Sequence, residues 1–143
     1  MPSDIDTAFE VLQSSVTEGR AENVRHRQNE LYSLHSALRE NSERICNAIV
    51  KDFAGSRERA ETEFFLTMDA VRISYEKLDF DKSLEEEYLV KFGKDNSKRR
   101  AAVGLVHIRP TRHNRFYSVI TPMVAALEAG NCAIVEVRFA SYL

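Results

Sequence analysis

The sequence predicts a mainly α fold: an N-terminal helical bundle with a small βαβ remnant at its C-terminal end. Three observations predict it. The first 80 residues hold only Pro2, Gly19 and Gly55 as breakers, and their apolar residues recur at helical spacing. Two apolar runs of strand length, 101–108 and 132–135, flank an apolar helical stretch. The 143-residue length suits a single domain, divided into a helical segment over 1–80, a polar connector over 81–100 and a strand–helix–strand segment over 101–137.

In the first helix Ile5, Ala8, Phe9, Leu12 and Val16 form the apolar stripe, Ser3 or Asp4 is the N-cap, and Gly19 closes it. The second helix starts near Glu22 and presents Leu31, Leu34 and Leu38; Asn41 or Ser42 recaps the chain. Ile45, Ile49 and Phe53 share the next face, and Gly55-Ser56 marks a break. A long helix over about 57–78 carries Phe64, Met68, Val71, Tyr75 and Leu78, spaced four, three, four and three apart, as a core stripe; Phe64, Phe65 and Met68 are expected in the core. In the connector, Tyr88–Phe92 is expected as a short strand, Glu85–Glu87 as an exposed acidic edge, and 94–100 as a turn or mobile loop. Pro110 ends the first C-terminal strand, a polar loop follows over 109–115, and a helix over 116–129 stops at Gly130-Asn131.

Composition narrows the function classes. Apolar residues at 43% supply a core, and a formal net charge of −2 with 29% charged residues reads as globular. No apolar run is long enough to span a bilayer, and the N-terminus lacks the basic and apolar regions of a signal peptide, so a cytoplasmic, reducing setting is expected. Cys46 and Cys132 are too few for a disulfide scaffold, and each reads as a small buried residue. His26 and His35 stand nine apart and form no metal pair, so no metal is expected; His107 reads as a satisfied strand histidine. Charge is split along the chain: residues 1–90 carry 11 Lys/Arg against 19 Asp/Glu (−8), and 91–143 carry 9 against 3 (+6). The basic half lacks interleaved stacking aromatics, so nucleic acid is not expected as a partner. The two halves are expected to face each other instead, within one chain or across a homodimer.

The stretch Thr121-Pro122-Met123-Val124-Ala125-Ala126-Leu127-Glu128-Ala129-Gly130-Asn131-Cys132-Ala133-Ile134-Val135, with the upstream run Val103–Ile108, resembles aldehyde dehydrogenase of the shorter, fatty-aldehyde and class 3 type. Arg25, Arg27, Leu31 and Leu34 fall where that family has its R-x-x-x-L-x-x-L helix, and the likeness covers about 6–136. It reaches only the family's N-terminal region. The family's cysteine nucleophile, general-base glutamate and glycine-rich cofactor turn lie downstream of the matched region, and neither Cys46 nor Cys132 takes the nucleophile's place. The family's P-W-N-Y-P-F loop aligns with Thr111-Arg112-His113-Asn114-Arg115-Phe116, so its oxyanion-binding asparagine falls on His113, with Asn114 one place on. Its cofactor-contacting lysine falls on Glu136, followed by Val137-Arg138-Phe139 in place of P-S-E. The resemblance therefore implies a truncated, diverged relative without NAD-dependent oxidation and without a cofactor.

Oxidation of an aldehyde needs a thiolate, a hydride acceptor and a base. What remains is the polar loop. Arg112, His113, Asn114 and Tyr117 are the candidate catalytic donors, and Arg109, Arg115, Phe116 and Met123 the candidate substrate contacts. Such donors beside an apolar wall suit a cofactor-independent isomerase or cyclase, pericyclic chemistry included, on a hydrophobic small molecule such as a terpenoid aldehyde. The alternative for the loop is a solvated turn whose arginines pair with the acidic half. Two other roles are open: a non-catalytic ligand-binding or regulatory pseudoenzyme that pairs with itself or a full-length relative, and a decayed gene product, since 137–143 leaves the family pattern as a frameshift would.

Overall fold

The computed structural model describes residues 4–53, 55–94 and 101–136. The order is α1 (Asp4–Thr17), a 3-10 turn (Arg20–Glu22), α2 (Val24–Glu40), α3 (Ser42–Phe53), α4 (Arg57–Glu76), α5 (Phe80–Lys91), β1 (Leu105–Ile108), α6 (Arg115–Glu128) and β2 (Cys132–Val135). The expected mainly helical architecture with one small strand pair is what forms. The turn expected at 94–100 lies almost wholly outside the described residues, as do Ser3 and the chain from 137 onward.

Polar side chains set the helix starts. Asn23 Oδ1 accepts from the backbone N–H groups of Arg25 (2.9 Å) and His26 (3.2 Å), so α2 starts at Val24, and Glu22, the expected start, sits in the preceding 3-10 turn. Ser56 Oγ accepts from Arg59 N–H at 3.3 Å, and Asp79 Oδ1 from Lys82 N–H at 3.1 Å. Each bond satisfies one of the donors that a helix N-terminus leaves open.

Helix α4 runs through the middle and packs against α2, α3 and α6. Its buried residues are Ala60, Glu63, Thr67, Val71 and Ser74. Of the expected stripe, Val71 is fully buried in the core. Phe64, Met68 and Leu78 are partly buried and pack against the cores, whereas Tyr75 is exposed and Phe65 is 68% exposed. Three neighbouring helices approach α4 closely, and small side chains at the contacts allow that approach. Thr67 satisfies its hydroxyl by donating to the Glu63 carbonyl at 2.8 Å.

Two buried clusters hold the helices together. Leu31, Leu38, Val71 and Val124 join α2, α4 and α6; Cys46, Ile49 and Ala60 join α3 to α4. Ile45 and Phe116 pack against both and make the core continuous. Burying one such leucine contributes about 1.5–3 kcal/mol.

The connector is not a strand and largely not a connector. Tyr88–Phe92, expected as extended, belongs to α5 and its C-terminal cap. Leu84 and Tyr88 are four apart, and the Leu-, Glu- and Lys-rich stretch favours helix over the short alternation of Tyr88, Val90 and Phe92. Gly93, at φ 68°, ends the helix: its N–H donates to Val90 C=O and the next N–H, of Lys94, to Leu89 C=O.

The strand expected over 101–108 narrows to Leu105–Ile108. It pairs in parallel with β2, from Leu105 opposite Cys132 to Ile108 opposite Val135. Helix α6 makes the crossover and packs on both strands, and α1 also contacts both. The first half of α1 reaches past the body, leaving Ile5 79% exposed and Phe9 exposed although both lie on its apolar stripe. Among the described residues no helix is long and apolar enough to cross a membrane.

Candidate functional site

The polar loop leads into α6 through an unusual start. Asn114, the N-cap, sits in the left-handed region at φ 50°, ψ 50°, the one non-glycine with positive φ among the described residues. Its side chain does not cap the helix. Asn114 Oδ1 accepts instead from Arg59 Nη2 of α4 at 3.3 Å. The helix start is served by Glu63, also from α4, whose Oε1 accepts from Tyr117 N–H at 3.0 Å. Glu63 is buried, and a buried carboxylate beside a helix N-terminus meets the positive end of the helix dipole. Thr111 N–H donates to Ser118 Oγ at 3.2 Å, Ser118 Oγ donates to Arg115 C=O at 3.1 Å, and the Thr111 hydroxyl donates to His113 C=O.

The expected site residues point to different elements. Arg109 Nε lies 3.8 Å from Glu136 Oε2, just past β2, and His107 Nε2 lies 3.6 Å from the same oxygen. His107 is exposed in its strand. Arg115 reaches Asp52 of α3, 3.4 Å away. Phe116 turns into the core and stacks on Phe64, with ring centroids 6.1 Å apart and planes 12° apart. Tyr117 offers its backbone to Glu63 while its side chain is exposed, and Arg112 and His113 are exposed. Met123 is half-buried two turns along α6. Arg109, Asn114 and Arg115 are thus ties between the loop and the end of β2, α4 and α3. Arg59, Asp52 and Glu136, which make those ties, and Glu63, which accepts from Tyr117 N–H, are absent from the sequence-level site. The split of charge between the two halves signalled Asp52 and Glu63 in general terms, and nothing in the sequence signalled Arg59.

The stretch that carries the resemblance has a structural task. Gly130, at φ 81°, is the left-handed residue after α6. Its N–H donates to Leu127 C=O and the Asn131 N–H to Ala126 C=O. A Cβ on Gly130 would lie 3.2 Å from the Ala21 carbonyl oxygen, so glycine is required by space as well as by φ. Asn131 is buried, and its Oδ1 accepts from the N–H groups of Val103 (2.7 Å) and Gly104 (2.8 Å). It thereby fixes the entry of β1 beside that of β2. Arg27 holds the other side of this junction, donating to the carbonyls of Glu128 and Glu22. Burial lowers its pKa, which Glu22 and Glu128 oppose.

Two recesses lie elsewhere. A narrow cleft of about 110 Å³ runs between the end of α1 and the strand entries, lined by Val16, Gly19, Glu22, Gly104, Gly130 and Cys132 among others. A shallow, open one covers α5, lined by Asp79, Asp81, Lys82, Leu84, Glu85 and Tyr88. Cys46 is buried between α3 and α4, and that burial pushes its thiol pKa up, against the pull of Arg57. No protein family model matches this chain, and no curated protein or solved structure matches it.

Proposed function

We propose that this chain is a non-catalytic pairing module, a pseudoenzyme of aldehyde dehydrogenase type that works by binding a second protein chain, either a copy of itself or a full-length relative. One observation carries the proposal: large apolar side chains stand exposed on successive helices, with Ile5 and Phe9 on α1, Phe65, Leu66 and Ile73 on α4, and Leu84, Tyr88 and Phe92 at α5. Singly such residues are ordinary; grouped along helix faces they mark interaction surfaces.

A cofactor-free isomerase or cyclase needs its donors held in a water-excluded site beside an apolar wall. Arg112, His113 and Asn114 are exposed, and Arg109, Asn114 and Arg115 face three different structural partners. That geometry supports pairing better than catalysis on a hydrophobic aldehyde. The test is the solution mass of the full chain, by light scattering, alone and mixed with a full-length aldehyde dehydrogenase. A mass above the monomer alone, or a mixed complex, supports pairing. A monomer in both settings, with turnover of a hydrophobic aldehyde to an isomer, would favour the cyclase.

A further inference from the structure

Helix α4 spans 20 residues, about 30 Å. An arginine-bearing loop stands at one end and an acidic recess at the other. At the N-terminal end, Arg59 and Glu63 hold the polar loop, in which Arg109 and Arg115 face Glu136 and Asp52 while Arg112 is exposed. At the C-terminal end, a three-residue link leads into α5, whose open recess is acidic at Asp79, Asp81 and Glu85 and apolar at Leu84 and Tyr88. Between these poles, the face of α4 turned away from the core exposes Phe65, Leu66 and Ile73. On a helix these residues lie to one side of the buried seam of Ala60, Glu63, Thr67, Val71 and Ser74.

From this arrangement we infer that the partner is a second copy of the chain, docked antiparallel across α4, with the basic loop of each copy seated on the α5 recess of the other. The inference rests on the pairing role proposed above and specifies its partner and its surface. A two-fold axis perpendicular to the line joining the two poles carries each loop onto the opposite α5. The same patch then serves both copies, as an isologous interface demands. Phe65 and Leu66 of each copy meet Ile73 of the other about the axis, where burial of apolar area supplies the affinity. The charged poles set orientation and rate of encounter more than affinity. Arg112 is an exposed loop cation with no ion pair among the described residues, and Tyr88 in the recess offers it an aromatic face.

The interface is tested by charge exchange in the full chain. Sedimentation velocity is run on the wild type, on the variant Asp81→Lys/Glu85→Lys, on Arg112→Glu, and on an equimolar mixture of the two variants. All substituted positions are exposed, and circular dichroism confirms that each variant keeps its helices. The wild type dimerises, and each variant alone has a dimer dissociation constant raised at least tenfold. The mixture recovers dimer, because each heterodimer pairs a basic α5 with an acidic loop and an acidic α5 with a basic loop. Phe65→Ser, at the exposed centre, abolishes dimer in every background. A dimer indifferent to all three variants would overturn this interface and leave the pairing role standing. So would a wild type that is monomeric alone yet binds the full-length relative. A wild type that is monomeric in both settings would overturn both. Variants that weaken the dimer but do not recover on mixing would also overturn the pole-to-pole arrangement.

Discussion

Asn131 accepts two hydrogen bonds at one buried oxygen. Removing the side chain leaves the Val103 and Gly104 N–H groups without their acceptor at the mouth of β1. Asn131→Ala is expected to cost about 2–3 kcal/mol, lowering the melting temperature by roughly 4–12 °C for a chain of this size. Asn131→Asp, which keeps the acceptor, is expected to lose less. Thermal melts of the pair check this. Cys46 offers a second residue-level test. Its thiol is held protonated by burial, so its folded pKa lies above the unfolded value. The unfolded state releases that proton first, and stability therefore falls as pH rises above about 8.5. Denaturant titrations across that range should show the fall, and Cys46→Ala should flatten it. In the native protein a maleimide should label Cys132, which is partly exposed, well before Cys46.

At the scale of elements, the start of α6 depends on a carboxylate from another helix. Glu63→Ala removes the acceptor for Tyr117 N–H and the negative charge at the helix N-terminus. The expected cost is about 1–2 kcal/mol, and hydrogen exchange should rise in the first turn of α6 before it rises in α2. This carboxylate also shows where the sequence is legible and where it is not. Caps that lie within three residues of the helix they serve, Asn23, Ser56 and Asp79, leave a local signature, although the strand reading of Tyr88–Phe92 overlooked the last of them. Gly130-Asn131 at the end of α6 is equally local. Glu63 is 54 positions from its partner, and a charged residue inside an apolar helix face gives no sign of what it faces. The same holds for the loop. Arg109, Arg112 and Arg115 are conspicuous in sequence as a cluster, but the directions of Arg109 and Arg115 depend on Glu136 and Asp52, residues far off in the chain and near in space. The stripe on α4 holds at Val71 and in part at Phe64, Met68 and Leu78, and fails at Tyr75. The largest apolar residues mark the core by periodicity, yet close packing of three helices selects Ala60, Thr67 and Ser74 for the deepest contacts.

At the scale of the whole molecule, the charge split visible in the sequence falls on particular elements. The acidic surplus of residues 1–90 includes α5, and the basic surplus of 91–143 includes the loop before α6. Ties cross between the halves within the chain, among them Arg115 with Asp52, Arg59 with Asn114, and Lys77 with Glu128 at 3.6 Å. The recess on α5, Arg112 in the loop, and Phe65, Leu66 and Ile73 on α4 are all exposed. The most direct test of the pairing role is sedimentation of the full-length chain over a range of concentrations at physiological salt, alone and with a full-length aldehyde dehydrogenase. A reversible monomer–dimer equilibrium, or a mixed complex with the relative, is the result expected. A single monomeric species at every concentration in both settings would contradict it.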